Sequence, residues 1–135
     1  MTLPEIQELA RVEEVLESRW PETKIEPSLD RISHLMTLLG DPQFAYPVIH
    51  ITGTNGKTST ARMIESLLRS MGLRTGLVTS PHLHQVTERI RLNGEPIPAG
   101  KFVEIYDELE PYLAIVDNES LASGGPAMSY FEVLT

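Results

Sequence analysis

The stretch "VIHITGTNGKTSTARMIESLLRSMG", residues 48–72, constrains the chain more than any other. A short apolar, β-branched run leads into glycines, a lysine and a hydroxyl, and an amphipathic pattern follows. Glycines between a strand and a helix let backbone N–H groups converge, and the helix N-terminus adds partial positive charge. Phosphate oxygens fit such a place. Gly53 and Gly56 permit positive φ and close approach. Lys57 supplies a mobile charge for the β- and γ-phosphates of ATP, and Thr58 is the usual hydroxyl for Mg²⁺. A plain glycine turn is the competing reading. The strand before, the helix after, and lysine and threonine at the right offsets favour a nucleotide. The common spacing Gly-x-x-x-x-Gly-Lys-Ser/Thr is not met: Ile51 stands where its first glycine belongs, and the glycine comes instead at Gly53.

The surroundings give a coarse order of elements. Thr2 with Glu5 makes a capping box with Pro4 in the first turn, and Ile6, Leu9, Val12, Val15 and Leu16 recur at helical spacing. "RWPETKIEP" reads as a linker because Pro21 and Pro27 forbid a continued helix. Ser28 caps a second helix with Leu29, Ile32, Leu35, Met36 and Leu39 as its stripe, ended by Gly40. "PVIHIT" reads as a buried strand and "TSTARMIESLLRSM" as a helix with Ala61, Ile64, Leu67, Leu68 and Met71 inward, stopped by Gly72. "RTGLVTS" is the next strand. Strand, loop, helix, strand is a βαβ unit, so the fold class is α/β with a parallel sheet. Asn93-Gly94 in "ERIRLNGEPI" signals a hairpin. "AGKFVEIYDELEPYL" is a further helix with Phe102, Ile105, Tyr106, Leu109 and Leu113 inward and a disturbance expected at Pro111, and "LASGGPAM" reads as a flexible loop.

With 135 residues the chain has room for one modest domain. Nineteen acidic against eleven basic residues give a net charge of −8, a field that repels nucleic acid and anionic membrane and leaves room only for a local basic pocket. Cysteine is absent, which removes disulfides and thiolate metal sites. The N-terminus lacks the apolar core of a signal peptide, so a cytoplasmic location is the expectation. "MSYFEVLT" stops inside an apolar segment, which leads to the expectation that residues 1–135 are the N-terminal portion of an ATP-binding domain in a longer protein.

Gly-Thr-Asn-Gly-Lys resembles the short phosphate loop of ligases that join an amino acid to a carboxylate: the peptidoglycan Mur ligases and folylpolyglutamate synthase. Thr58-Ser59 after the lysine is closer to the Mur pattern. "TSPHLHQVTERIRLNGEPI", residues 79–97, resembles the stretch after the second strand of folylpolyglutamate and dihydrofolate synthases. "SLDRISHLMTLLGDP" and "MSYFEVLT" are similar to that family's early helix and its Thr-x-Phe-Glu-x-x-Thr segment.

The resemblance implies a parallel-sheet, Mur-ligase-like ATP-binding domain. It also implies an activity in which L-glutamate is joined to dihydropteroate or a folate through an acyl phosphate, with ATP and Mg²⁺. It assigns Thr54, Asn55, Gly56 and Lys57 to ATP, with Thr58 and Ser59 flanking, and Ser80 to Mg²⁺; the loop chemistry adds Gly53 to the ATP site, Lys57 to the transferring phosphoryl group and the Thr58 hydroxyl to Mg²⁺. Ser80 reads otherwise as a strand-end turn before Pro81. For the pteridine substrate it implies Glu26, Pro27, Ser28 and Leu29, then His82, then Ser129, Tyr130, Phe131 and Glu132. Phe131 can stack on a pterin or be a core aromatic, and Glu132 can read a ring or start a helix. The family also suggests a monomer.

The remaining histidines and arginines read as structural. His50 lies in the expected buried strand as a satisfied core residue, and His34 sits on the second helix. His82 and His84 lack a carboxylate partner at metal-ligand spacing. Arg89 and Arg91 read as a solvated strand face more than as a glutamate-tail site. Two other functions compete with the folate ligase: a Mur-type ligase of cell-wall precursors, and a nucleotide-binding module without ligase chemistry.

Overall fold

Thr2 sets the first helix by the box its sequence suggests. In the computed structural model, which describes residues 1–21 and 28–135, its backbone N–H donates to Glu5 Oε2 at 2.6 Å while its Oγ1 accepts from Glu5 N–H at 3.4 Å. The chain divides into two units, one of Met1–Pro47 with Val103–Thr135 and one of Val48–Phe102.

The first unit is helical: α1 (Leu3–Glu17), α2 (Asp30–Leu38), α4 (Ala99–Ala122, with its first turn in the other unit) and α5 (Tyr130–Leu134). α1 buries Leu9, Val12 and Leu16, three of the five positions of its apolar stripe; Ile6 and Val15 stay partly exposed. α2 buries Leu35, whereas Leu29, expected inward, is 76% exposed. Ser28 Oγ accepts from Asp30 N–H at 3.1 Å, so it caps from one residue before the helix boundary. α4 contributes Val103, Tyr106, Leu113 and Val116 to the core and runs through Pro111, where a disturbance was expected. Proline there removes one intrahelical bond, and a helix of 24 residues has many others. Burial raises the pKa of the Tyr106 phenol. The expected flexible loop at 121–128 is tied instead: Ser120 Oγ donates to the Pro126 carbonyl at 2.6 Å, and Met128 N–H donates to Asp117 Oδ1 at 2.7 Å.

The second unit holds α3 (Lys57–Ser70), β1 (Gly76–Val78), β2 (Ile90–Leu92) and β3 (Glu95–Pro96). The Asn93-Gly94 hairpin forms, with both residues at positive φ as a mirror-image turn needs. It pairs β2 with β3, and β1 joins β2 antiparallel with Leu77 opposite Arg91. α3 ends at Gly72 by the paired bonds of a Schellman motif, Leu73 N–H to Leu68 carbonyl and Gly72 N–H to Arg69 carbonyl.

Two expectations fail here. Residues 47–52 form no strand among the described residues; Val48 and Ile49 are exposed, and His50 is exposed too, not a core residue. A strand of a parallel sheet exists through neighbours on its edges, and no described segment pairs with this one. On α3 the inward face is Ala61, Ile64, Glu65 and Leu68; Leu67 and Met71, expected inward, are exposed with Met63. Glu65 is buried because its carboxylate is satisfied. It accepts from the Thr75 hydroxyl at 2.6 Å and from Arg69 Nε at 3.1 Å.

Candidate functional site

The loop ahead of α3 is built on backbone freedom. Gly53 has φ 146° and Gly56 φ 74°, and Gly56 stands as the N-cap of α3. Side chains that cap a helix satisfy its first N–H groups. Here no side chain of a described residue does so, and no acidic residue lies in the first turn. Those N–H groups therefore stay open to an anion, and residues 52–60 are all exposed. The Lys57 stem folds back toward the loop: a Cβ added at Gly53 would lie 3.9 Å from Lys57 Cγ. Open N–H donors, a cation, hydroxyls at Thr54, Thr58 and Ser59, and no nearby carboxylate in the turn fit a phosphate chain.

After β1 the loop through Ser80 is fixed from downstream. Ser80 is exposed and precedes a cis bond to Pro81. Glu88 accepts from three consecutive amides, Leu83, His84 and Gln85, each at 2.9 Å. These bonds, that from Leu83 first, hold the Glu88 carboxyl below its ordinary pKa. Arg89 is buried, and its Nε donates to His82 Nδ1 at 2.9 Å. Arg91 donates to the Gly94 carbonyl. Neither arginine is the solvated strand face expected; both hold loop geometry, and Arg89 orients the His82 ring. Among the described residues no group of three or more His, Cys, Asp or Glu could hold a metal ion. The hydroxyls of Thr58 and Ser80 are hard oxygen donors but few, so a cation held by them needs oxygens from its ligand as well.

In the first unit, Ser28 and Leu29 precede α2, while Glu26 and Pro27 lie outside the described residues. Ser129 and Glu132 form a capping box around α5: Ser129 N–H donates to Glu132 Oε2 at 2.7 Å and Glu132 N–H to Ser129 Oγ at 3.0 Å. Glu132 is thus the helix-start carboxylate. Phe131 is 44% exposed, not a core aromatic, and Tyr130 is half-buried.

Four residues that support this segment were not singled out in the sequence. Arg19 Nη1 donates to the Met128 carbonyl at 2.9 Å and pairs with Asp117 Oδ2 at 3.0 Å. Trp20 Nε1 donates to the Ala127 carbonyl at 2.7 Å, and the Trp20 carbonyl accepts from Tyr130 N–H at 3.1 Å. Arg31 donates to both oxygens of Glu132 from Nε, at 3.1 and 3.2 Å. These partners are about a hundred residues apart in sequence, beyond any local pattern. The available signal was an arginine in a helix otherwise read for its apolar stripe.

Comparison with known proteins fits this geometry. Residues 51–95 match the family described as Mur ligase middle domain. Over 99% of its length the chain is 56% identical to the dihydrofolate synthase/folylpolyglutamate synthase of Mycobacterium tuberculosis, of which it covers 28%. A solved structure of the M. tuberculosis folylpolyglutamate synthase complexed with ADP superposes with a TM-score of 0.90 at 54% identity, covering 96% of this chain and 28% of that one. A folylpolyglutamate synthase solved as a complex with AMPPCP and folate gives 0.79 at 31% identity, over 92% of this chain and 29% of that one. The chain therefore spans under a third of the length of these relatives. No helix among the described residues is long and apolar enough to cross a membrane. By sequence and by fold, the chain is similar over almost its whole length to one part of folylpolyglutamate synthase/dihydrofolate synthases, α/β proteins with the Mur-ligase fold.

Proposed function

We propose that residues 1–135 are the N-terminal portion of the ATP-binding domain of a ligase that adds L-glutamate to dihydropteroate, to tetrahydrofolate, or to both. The observation that carries this reading is the uncapped, acid-free start of α3 behind Gly53 and Gly56, with Lys57 folded toward the loop. The relatives solved with ADP, and with AMPPCP and folate, support the same ligand classes. In this reading Gly53, Thr54, Asn55, Gly56, Lys57, Thr58 and Ser59 hold the phosphates of ATP, and Thr58 and Ser80 face Mg²⁺. The metal supplies charge neutralisation for the phosphates.

The chemistry needs such a cradle. A carboxylate is a poor acyl donor until one of its oxygens carries phosphate. The acceptor carboxylate takes the γ-phosphoryl group, ADP leaves, and the glutamate amine then displaces phosphate to form the amide. Phosphoryl transfer is chiefly positioning and charge stabilisation, which is what a fixed lysine and open N–H groups provide. Glu26, Pro27, Ser28 and Leu29, His82, and the segment Ser129, Tyr130, Phe131 and Glu132 serve the pteridine substrate. Phe131 offers a ring face, whereas Ser129 and Glu132 act through the shape of the segment. The enzyme is cytoplasmic and monomeric and uses no nucleic acid or membrane partner. The rest of the domain covers Val48, Ile49, Met63, Leu67 and Met71 and pairs with residues 47–52. The 135-residue chain alone is then inactive, and glutamate ligation by it would refute that point.

ADP release by the complete polypeptide, with Mg²⁺, ATP and glutamate, with and without dihydropteroate or tetrahydrofolate, tests the function. Release that requires glutamate and either pteridine supports it. Release indifferent to both pteridines overturns it in favour of a Mur-type substrate, and binding of nucleotide with no release under any of these conditions favours a module without ligase chemistry.

A further inference from the structure

We propose that Arg31 is a positioning residue for the pteridine substrate: its buried ion pair with Glu132 joins the start of α2 to the start of α5 and fixes the substrate segment 129–132. The inference rests on the ligase reading above and adds a residue and a role to it.

Both carboxylate oxygens of Glu132 are committed. Oε1 takes Arg31 Nε at 3.1 Å, with Nη2 at 2.9 Å but off the line of a hydrogen bond, and Oε2 takes Arg31 Nε at 3.2 Å and Ser129 N–H at 2.7 Å. The two side chains are only 9% and 13% exposed. The guanidinium also lies 5.7 Å from the centre of the Trp20 ring, a cation–π distance. Trp20 in turn bonds Ala127 and Tyr130, and Arg19 with Asp117 grips both backbone groups of Met128. A five-residue helix does not hold its own shape in water. Here two largely buried ion pairs serve one such helix and the residues entering it. Burying charge costs desolvation, and an apolar pair of similar size would stabilise as well or better. What the charges add is fixed geometry. Leu29, two residues before Arg31, and Phe131, one before Glu132, are the apolar side chains these segments leave exposed, at 76% and 44%. The pair therefore sets where two apolar contact groups stand.

The test uses the complete polypeptide with Arg31→Met, Glu132→Gln, which keeps an acceptor for Ser129 N–H, and the double variant, measuring thermal stability, kcat, and KM for dihydropteroate and for ATP. Each single change strands a buried charge and lowers stability; the double change restores it. If Arg31 positions the substrate segment, KM for dihydropteroate rises about tenfold or more in all three variants, because small misplacements are costly, while KM for ATP stays put. If the pair is only structural, the double variant recovers dihydropteroate KM along with stability, and the proposal fails. Parallel rises in both KM values also refute it. Should the single variants not fold, the double variant decides. A wild-type enzyme with no requirement for dihydropteroate or tetrahydrofolate would remove the ligase reading and this role with it; a wild-type enzyme that has the requirement, beside unaffected variants, removes this role alone.

Discussion

Gly56→Ala isolates what the loop backbone contributes to nucleotide binding. Gly56 sits at φ 74°, where an L-residue is strained by about 1–2 kcal/mol. A Cβ there would meet nothing within 4 Å, so no clash in the protein adds to this. Replacing glycine also stiffens the unfolded chain, returning about 0.4–1 kcal/mol. The net cost to stability is about 1.6 kcal/mol at most, and an exposed loop sheds part of it by relaxing when empty. Bound phosphate demands the strained geometry back, so the penalty reappears in affinity. A penalty of about 1.4 kcal/mol is tenfold in Kd. Calorimetric titration of the complete polypeptide with Mg²⁺ and AMPPCP should show Kd raised about 3- to 10-fold by Gly56→Ala. Gly56→Asn should be milder, because asparagine tolerates left-handed backbone. An unchanged Kd in Gly56→Ala would refute the reasoning. Equal losses for alanine and asparagine would shift the cause from backbone strain to contact between Cβ and ligand.

Three further outcomes follow from the same geometry. Lys57→Ala should cut ADP release by about 10²-fold or more while leaving the urea midpoint unchanged, since Lys57 is exposed. Gly94→Ala should destabilise by about 2 kcal/mol in urea, because φ is 86° and the new Cβ would lie 2.8 Å from Arg69 Cζ, pushing Arg69 off Glu65; adding Arg69→Ala should relieve the steric part only. The Thr75 hydroxyl first, and Arg69 after it, hold the Glu65 carboxyl below its ordinary pKa. Its stabilising share is thus full above the ordinary carboxylate value and lost as pH falls through the depressed folded value. Urea midpoints from about pH 6 to about pH 3 should drop less steeply in Glu65→Gln than in wild type.

Local chemistry was legible and distant partnership was not. The start of α3 at Lys57, its stop at Gly72, the Thr2–Glu5 box and the Asn93-Gly94 hairpin each depend on residues within a few positions of one another. The phosphate loop is of the same kind, since glycine, lysine and helix start lie together. The strand at 47–52 was read from composition, yet a strand exists only through pairing, and no described segment pairs with this one. Leu67 and Met71 were assigned inward by periodicity, which cannot tell which side of a helix has a covering neighbour. Glu65 was passed over because its burial depends on Thr75, ten positions away. The supports of residues 127–132 were invisible for the same reason in stronger form: Arg31 and Glu132 are 101 positions apart.

The split course of the helical unit also orders its assembly during synthesis. Arg11 bonds Asp107, 96 positions on, and Arg19 bonds Met128, 109 positions on. At roughly 5–20 residues per second, α1 leaves the ribosome about 5–20 s before these partners exist. Through that interval Leu9, Val12 and Leu16 have no core to enter, and a fifteen-residue helix is marginal in water. The Thr2–Glu5 box is the support α1 carries within its own first turn. Residues 48–102 are meanwhile translated in one run, so the contacts among them can form on the nascent chain while the unit that encloses them in sequence is still half made.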